Sequence, residues 1–440
     1  MPCRKPKTIC LMSNPFRNIT GTFDVLPDPQ SSGGDAIAGS RAWQELEAVI
    51  RRVMHRYGAR EIRTPILEPT ELIARGVGQL TDIVSKEMFA FERGDTHYVL
   101  RPEVTAPVMR AYLQHNLEQL GGVQRLFYIG PCFRAERPQK GRYRQFHQFG
   151  AEFIGADDPR ADAETVLMAI DIYRELGLTD FTVRINSIGD AASRPRYREA
   201  LVEFLTPLAD QLSDISRQRL ESNPMRILDT KSEKERALLL GAPIITDYID
   251  DESRAHYEAV KAHLTAVGVD IEEDPFLVRG LDYYTRTAFE IDSPVLGAQS
   301  TLAGGGRYDL LAEDVGSKKP VPAVGFAAGM ERLFLALSAA GTTLPEYEAP
   351  DIFVVALGDA AAEWTFSAVH DWRSSGIRAV YDLKGRSMKA QMREANRQQA
   401  PKVIIVGDAE LEAGHVAVKD MESGEQVMVP LDQIKACILD

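Results

Sequence analysis

Between Asp35 and Gly58 the apolar residues Trp43, Leu46, Val49, Ile50, Val53, Met54 and Tyr57 recur three or four positions apart, which predicts a helix that Gly58 ends. EIRTPILEP at 61–69 reads as a strand interrupted by Pro65, which places it at an edge or an interface. YVLRPEVTAPVMRAYLQ at 98–114 keeps strand character to Arg101, turns at Pro102 and continues as a helix. Asp162 is placed to cap a helix running to about Leu176, with Gly177 behind it, and FTVRIN at 181–186 alternates as a strand. From Ala191 to His263 the pattern is helical and charged, 73 residues that read as an inserted subdomain. Strand signals resume in PFLVRGLDYYTRTAFEI (275–291), QSTLAGGGRYDLL (299–311) and AVGFAAGMERLFLAL (323–337). Strands on both sides of a helical insertion predict an α+β fold, one mainly antiparallel sheet flanked by helices.

The expected domain therefore comprises residues 16–190 and 264–340, with the insertion at 191–263, a linker at 341–350 and a separate domain at 351–440. In that last domain IFVVAL, a helix near 360–375, RAVYD, a helix near 387–399, KVIIVG, HVAVKD and QVMVP alternate as α/β. Residues 1–15 are expected to form a disordered extension, and either Met1 or Met12 can serve as the start. There is no signal-peptide core in the first dozen residues and no apolar run near the roughly 18 residues that cross a membrane.

The 440 residues carry a net charge of -13, which argues against indiscriminate nucleic-acid binding but leaves room for local basic paths. Two exist. Arg134, Arg137, Lys140, Arg142 and Arg144 crowd a predicted hairpin at 130–155 and are opposed only by Glu136. Arg373 to Lys402 holds eight Lys/Arg against Asp382 and Glu394. Taken alone, each has a solvated basic surface as its alternative reading. The four cysteines are too far apart for a zinc site or disulfide framework, and the eight histidines show no HxH or HExxH grouping, so a reduced setting without a bound transition metal is expected. Neither GxxxxGK[ST] nor a complete GxGxxG after a strand is present, so phosphates would be held by arginines. Arg134, Arg279 and Arg332 lie beside glycine or turn residues in strand-like segments, although any one of them could equally be a surface ion-pair partner.

Together these segments resemble the class II aminoacyl-tRNA synthetases and, within them, the histidyl-tRNA synthetase family. TPILEP at 64–69 is similar to the dimer-forming motif 1, FRAERPQKGRYRQFHQFGAE at 133–152 to motif 2 and GFAAGMERL at 325–333 to motif 3. RGLDYYTRTAFE at 279–290 and GGGRYD at 304–309 match the histidine-specific signatures, and RPEVTAP at 101–107 the substrate-amine loop. The resemblance runs from Phe16 to the C-terminus.

It implies a class II catalytic domain, an anticodon-binding domain at 351–440, and histidine–tRNA ligation with ATP as substrate and Mg2+ carried mainly by the phosphates rather than by a protein metal site. Arg134 and Arg279 would be catalytic contacts to the α-phosphate from opposite sides, with Arg332 against the triphosphate or adenine. Glu103 and Thr105 would take the substrate ammonium, and Gln148 the amino-acid backbone. Neutral imidazole offers one N–H and one bare nitrogen, so Glu152 can accept from the first and Tyr284 or Tyr308 donate to the second. Tyr283 would shape the pocket wall. Outside this resemblance the tyrosines would read as core aromatics. Arg137, Gln139, Lys140 and Arg142 would meet the acceptor end of tRNA(His), and the basic helix near 387–399 its anticodon stem-loop. The scattered cysteines fit a cytoplasmic setting, the lack of a long apolar run predicts no membrane contact, and the family implies a homodimer and an adenylate phosphate that takes the proton from the tRNA ribose. Three alternatives stay open: a regulatory subunit of ATP phosphoribosyltransferase on the same fold, a class II synthetase for glycine, proline or threonine, and an RNA-binding module. Whether the helical insertion touches tRNA or braces the fold also stays open.

Overall fold

The computed structural model of the chain describes residues 17–27, 38–79, 81–230, 232–345 and 348–439. The expected extension at residues 1–15 lies outside them, as does the predicted beginning of the first helix at Asp35. The chain divides into two compact units, Met1–Glu346 and Tyr347–Asp440.

In the first unit, helix α1 (Ser40–Arg56) buries Leu46, Ile50 and Val53 completely, the face its apolar spacing predicts. The segment around Pro65 is not one interrupted strand. Strand β1 (Arg60–Glu61) pairs parallel with β5 (Gln124–Phe133), whereas β2 (Leu67–Pro69) joins a separate small sheet with β3 (Phe89–Arg93) and β4 (Thr96–Leu100). Proline cannot donate to a ladder, so the chain changes sheets there. Helix α2 (Thr70–Val77) follows β2, and α3 (Thr105–Gln114) follows β4.

Strand β6 (Gln145–Ile154) closes the basic hairpin onto β5. Helix α4 (Pro159–Glu175) then starts four residues earlier than its Asp162 signal suggests: Asp158 is the cap, accepting from the Arg160 N–H at 2.9 Å, with Pro159 in the first turn. Asp162 is instead fully buried and paired with Arg307, and His256 Nε2 lies 3.2 Å from its carboxylate. Strand β7 (Thr182–Ser187) precedes a run of helices: α5 (Ser193–Leu205), α6 (Asp214–Ser222), α7 (Glu233–Leu238) and α8 (Asp251–Ala266). The last of these packs Tyr257, Val260 and Leu264 into the same core as α4.

The long strand expected from Pro275 is half as long as it looks. After β8 (Ile271–Glu273) the backbone runs irregularly past Arg279, and β9 begins only at Thr285, ending at Asp292. Strand β10 (Thr301–Arg307), the short helix α9 (Leu311–Asp314), β11 (Ala323–Gly329) and α10 (Met330–Ala339) complete the unit. Arg332 therefore projects from a helix, not a strand. The main sheet has the order β1-β5-β6-β11-β10-β9-β7-β8, antiparallel throughout except for the parallel edge pairs. Phe127, Phe149, Phe153 and Phe326 fill a core against α1, α4 and α10 on one face. Alternate residues, among them Tyr128, Cys132 and Ile154, point to the other face, against α3 and α5.

The second unit is a five-stranded mixed sheet ordered β13-β12-β14-β15-β16, from β12 (Ile352–Leu357), β13 (Ala379–Tyr381), β14 (Lys402–Gly407), β15 (His415–Asp420) and β16 (Gln426–Pro430). Helix α11 (Asp359–Ser374) packs Val369 and Trp372 on one face, and α12 (Met388–Arg397) packs Ala395 on the other.

Candidate active site

A cleft of about 190 Å³ opens over the second face of the main sheet, where β6, β10 and β11 lie side by side. Strand alternation sends Phe146, Gln148 and Glu152 of β6 to this face while Phe149 and Phe153 go to the core. Gln148 Oε1 accepts from Cys132 Sγ at 3.3 Å. Glu152 lies beneath the floor, 1% exposed, where its carboxylate accepts from Thr105 Oγ1 at 2.7 Å and from the Tyr308 hydroxyl. Burial pushes the Glu152 carboxyl up to about 8, against the pull of Tyr308 and Thr105. The partner of Glu152 on β11 is Gly325, where a Cβ would meet the carboxylate at 1.8 Å. No other residue type leaves room for it.

Glu103 is 3% exposed and accepts the backbone N–H groups of Thr105 at 2.8 Å and Ala106 at 3.0 Å, at the start of α3. Burial raises its pKa, and the two N–H groups and Arg134 oppose the rise. Tyr283 packs its ring 4.7 Å from Tyr284 and 5.6 Å from Tyr308. The Tyr128 hydroxyl is buried without a hydrogen-bond partner, and after burial itself the charges of Glu152 and Glu103 raise its pKa. This part of the cleft is thus acidic and ringed by tyrosines.

Arg134, Arg142, Arg279 and Arg332 also line the cleft. Arg134, just past β5, donates from Nε to the Pro102 carbonyl at 3.0 Å and stacks 5.3 Å from the Phe146 ring. Arg279 pairs with Glu290 and lies 5.8 Å from the Tyr284 ring, and its Nε is buried without a partner. Burial works against the Arg279 charge, and Glu290 together with Tyr284 and Tyr283 outweighs it, so the guanidinium pKa is raised. Gly304 makes this placement feasible, since a Cβ there would meet Arg279 Nη2 at 2.1 Å. Arg332 reaches back from α10 to the carbonyls of Thr301 at 3.0 Å and Gly141 at 3.3 Å. Burial lowers its pKa, and the neighbouring Arg142 and Arg134 lower it further. Glu136 and Glu290 offset part of this repulsion, and the remaining crowding of guanidinium groups around Arg332 favours a polyanion between them.

Glu103, Thr105, Arg134, Arg142, Gln148, Arg279, Tyr283, Tyr284 and Arg332 all line this one cleft. Glu152 and Tyr308 stand directly behind it, and Tyr308 is committed to Glu152. Arg137, Gln139 and Arg142 line a neighbouring cavity of about 510 Å³, and Lys140 is exposed. Residues the sequence did not mark also take part. Glu136 accepts from Arg142 at 2.9 Å, and Glu331, 2% exposed, accepts the His147 N–H at 2.8 Å and so fixes β6 to α10. Glu136 and Glu331 sit inside motifs 2 and 3, the one signal that could have marked them. Tyr128 has no such signal.

The histidyl-tRNA synthetase family model matches residues 38–333, and the anticodon binding domain model matches residues 351–440. The chain belongs to the histidyl-tRNA synthetase family. It is 48% identical over 417 residues to a histidine–tRNA ligase of Chloroherpeton thalassium, covering 94% of this chain and 95% of that one. A histidine–tRNA ligase of Synechococcus sp. is 46% identical over 419 residues, covering 95% and 97%. Apo S. aureus histidyl-tRNA synthetase superposes with a TM-score of 0.80 at 39% identity, covering 97% of this chain and 100% of that one. Family members are aminoacyl-tRNA synthetases, ligases whose class II fold binds ATP, and the α+β architecture with its C-terminal anticodon-binding domain is that fold. Among the described residues no helix is long and apolar enough to cross a membrane.

Proposed function

We propose that the chain joins L-histidine to tRNA(His) by way of histidyl-adenylate, with the cleft as the adenylation site. What carries this reading is the lining of the cleft: buried carboxyl groups and tyrosines make one part of it, and four arginines another. Histidine suits the first part, with its ammonium at Glu103 and Thr105, its backbone at Gln148 and an imidazole N–H toward Glu152. Because Tyr308 is committed to Glu152, Tyr284, on the cleft wall, is the tyrosine that donates to the bare imidazole nitrogen. Tyr283 closes the wall. In the empty site a carboxyl titrating at about 8 is largely protonated at neutral pH, and an incoming N–H donor favours its charged form.

ATP lies along the other part. The histidine carboxylate attacks the α-phosphorus, a P–O bond forms as the bond to pyrophosphate breaks, and negative charge grows on the α-phosphate oxygens between Arg134 and Arg279. Arg332 holds the triphosphate or the adenine. Mg2+ would neutralise the phosphates as pyrophosphate leaves. It would be held chiefly by phosphate oxygens, since the cleft carboxylates Glu136 and Glu331 already accept from Arg142 and His147. Among the described residues no group of three His, Cys, Asp or Glu could hold a metal.

In the second step the tRNA ribose hydroxyl attacks the aminoacyl carbon and AMP departs, with the adenylate phosphate taking the proton. Arg137, Gln139, Lys140 and Arg142 meet the acceptor end, and the basic α12 region meets the anticodon stem-loop. The enzyme acts as a homodimer through the segment around Pro65, where Ile66 and Leu67 are 42% and 43% exposed. We place it in the cytoplasm, where Cys132 and Cys437 stay free thiols. ATP–pyrophosphate exchange against all twenty amino acids without tRNA tests the reading: histidine alone supports exchange, and exchange with another amino acid but not histidine overturns it.

A further inference from the structure

The tip of the helical segment, where α6 gives way to a 3₁₀ turn at Pro224–Ile227, holds the backbone next to Arg279. Asn223 Nδ2 donates to Asp282 Oδ1 at 3.2 Å, and Arg226 Nη2 donates to the Gly280 carbonyl at 2.9 Å and lies 3.3 Å from the same Asp282 oxygen. Arg219 braces the turn, donating to the Arg226 carbonyl at 3.1 Å and to Asp82 Oδ2 at 3.2 Å. From the opposite side the Asp282 N–H donates to the Val77 carbonyl at 3.1 Å. The loop so gripped has no regular secondary structure between Glu273 and Thr285 and exposes Gly280 at its crest. A second cavity of about 630 Å³ separates the segment from the cleft, walled by Ser216, Arg219 and Arg226 on one side and Arg134 and Arg279 on the other.

Stabilising charge by a fixed dipole or cation requires the group to be held within about 0.5 Å of its working position. Glu290 fixes the head of Arg279, and the bonds from the Phe276 and Leu277 N–H groups to Asp274, with those that Asn186 donates to the Pro275 and Leu277 carbonyls, hold only the stretch of loop before Arg279. We propose that Asn223 and Arg226 are positioning residues for adenylation: they clamp the Gly280–Asp282 backbone and thereby aim Arg279 at the α-phosphate. The helical segment then serves the first chemical step, before any tRNA arrives. The inference rests on the reading of Arg279 given above.

The test is tRNA-free ATP–pyrophosphate exchange on the full-length protein, so that a lost tRNA contact cannot register. Arg226→Ala should lower kcat by roughly 10-fold or more, the loss of charge-assisted hydrogen bonds, with the histidine KM within about 3-fold. Arg226→Lys, which can still donate to the Gly280 carbonyl, should recover most of the rate. Asn223→Ala, a milder change that covers a failure of Arg226→Ala to fold, should give a loss of a few fold with an unchanged Tm. Arg217→Ala, on α6, should have no effect. If Arg226 works through Arg279, Arg226→Ala combined with Arg279→Ala is no slower than Arg279→Ala alone. Exchange within two-fold of the parent in Arg226→Ala and Asn223→Ala, with a raised tRNA KM, overturns the proposal in favour of a tRNA contact. Fully additive losses in the double variant overturn it as well. If Arg279→Ala itself exchanges normally, the assignment of Arg279 fails and this inference falls with it.

Discussion

Glu152→Gln keeps the shape of an enclosed carboxyl and removes its ability to ionise, and it should move stability and activity in opposite directions. Burial pushes the Glu152 carboxyl up to about 8, with Tyr308 and Thr105 pulling it back and Glu103 adding to the rise. In an unfolded chain a glutamate titrates near 4.3. Between these two values the folded protein keeps a proton that the unfolded chain has lost. The parent therefore loses stability as pH rises through that window, on the order of a few kcal/mol in all. Glutamine does not titrate, so the Tm of Glu152→Gln should gain on the parent steadily from pH 5 to 8 and then hold its lead. Histidine activation should suffer at the same time: losing the charged acceptor for the imidazole N–H costs about 2–4 kcal/mol, roughly 30- to 1000-fold in kcat/KM for histidine, with the ATP KM nearly unchanged. Thermal unfolding from pH 5 to 9 and pyrophosphate exchange at varied histidine measure the two arms. Parallel Tm–pH curves for parent and variant would refute the buried-carboxyl argument. Histidine activation within a few fold of the parent would remove Glu152 from the imidazole site.

Arg279→Ala should reduce the rate of adenylation by roughly 10²–10³-fold, with histidine binding much less affected; equal losses in a binding isotherm and in exchange would make Arg279 a substrate anchor instead. Deletion of residues 351–440 should raise the tRNA KM strongly and leave pyrophosphate exchange, because every adenylation residue lies in the first compact unit; a folded truncation without exchange would contradict this. Sedimentation at micromolar concentration should give a dimer, and Leu67→Glu, on the exposed apolar segment, should shift it toward monomer. An unchanged dimer in that variant would move the interface elsewhere.

The sequence carried much of this site because its signatures are local. The basic hairpin becomes β5 and β6, and period-two alternation alone puts Gln148 and Glu152 on one face. The glycines of GGGRYD can be read as places where something must come close, and at Gly304 that neighbour is the Arg279 side chain. What was not legible is long-range. Asp162 looks like a helix cap because its partner Arg307 lies 145 residues away, whereas the local cue that decides the cap is Asp158 before Pro159. Tyr284 and Tyr308 were equivalent as candidates until the fold tied Tyr308 to Glu152 across 156 positions. The stretch before Thr285 has the β-branched and aromatic content of a strand, yet Arg279 needs an irregular backbone to reach over the sheet. Strand propensity gave way to the site.

The central claim is that one cleft binds histidine by its carboxyl groups and tyrosines and phosphate by its arginines. A crystal structure with a non-hydrolysable sulfamoyl analogue of histidyl-adenylate measures this directly. It should place the imidazole N–H on Glu152, the α-amine at Glu103 and Thr105, and the sulfamoyl group between Arg134 and Arg279. An analogue bound with its imidazole away from Glu152, or its sulfamoyl group away from both arginines, would contradict the account.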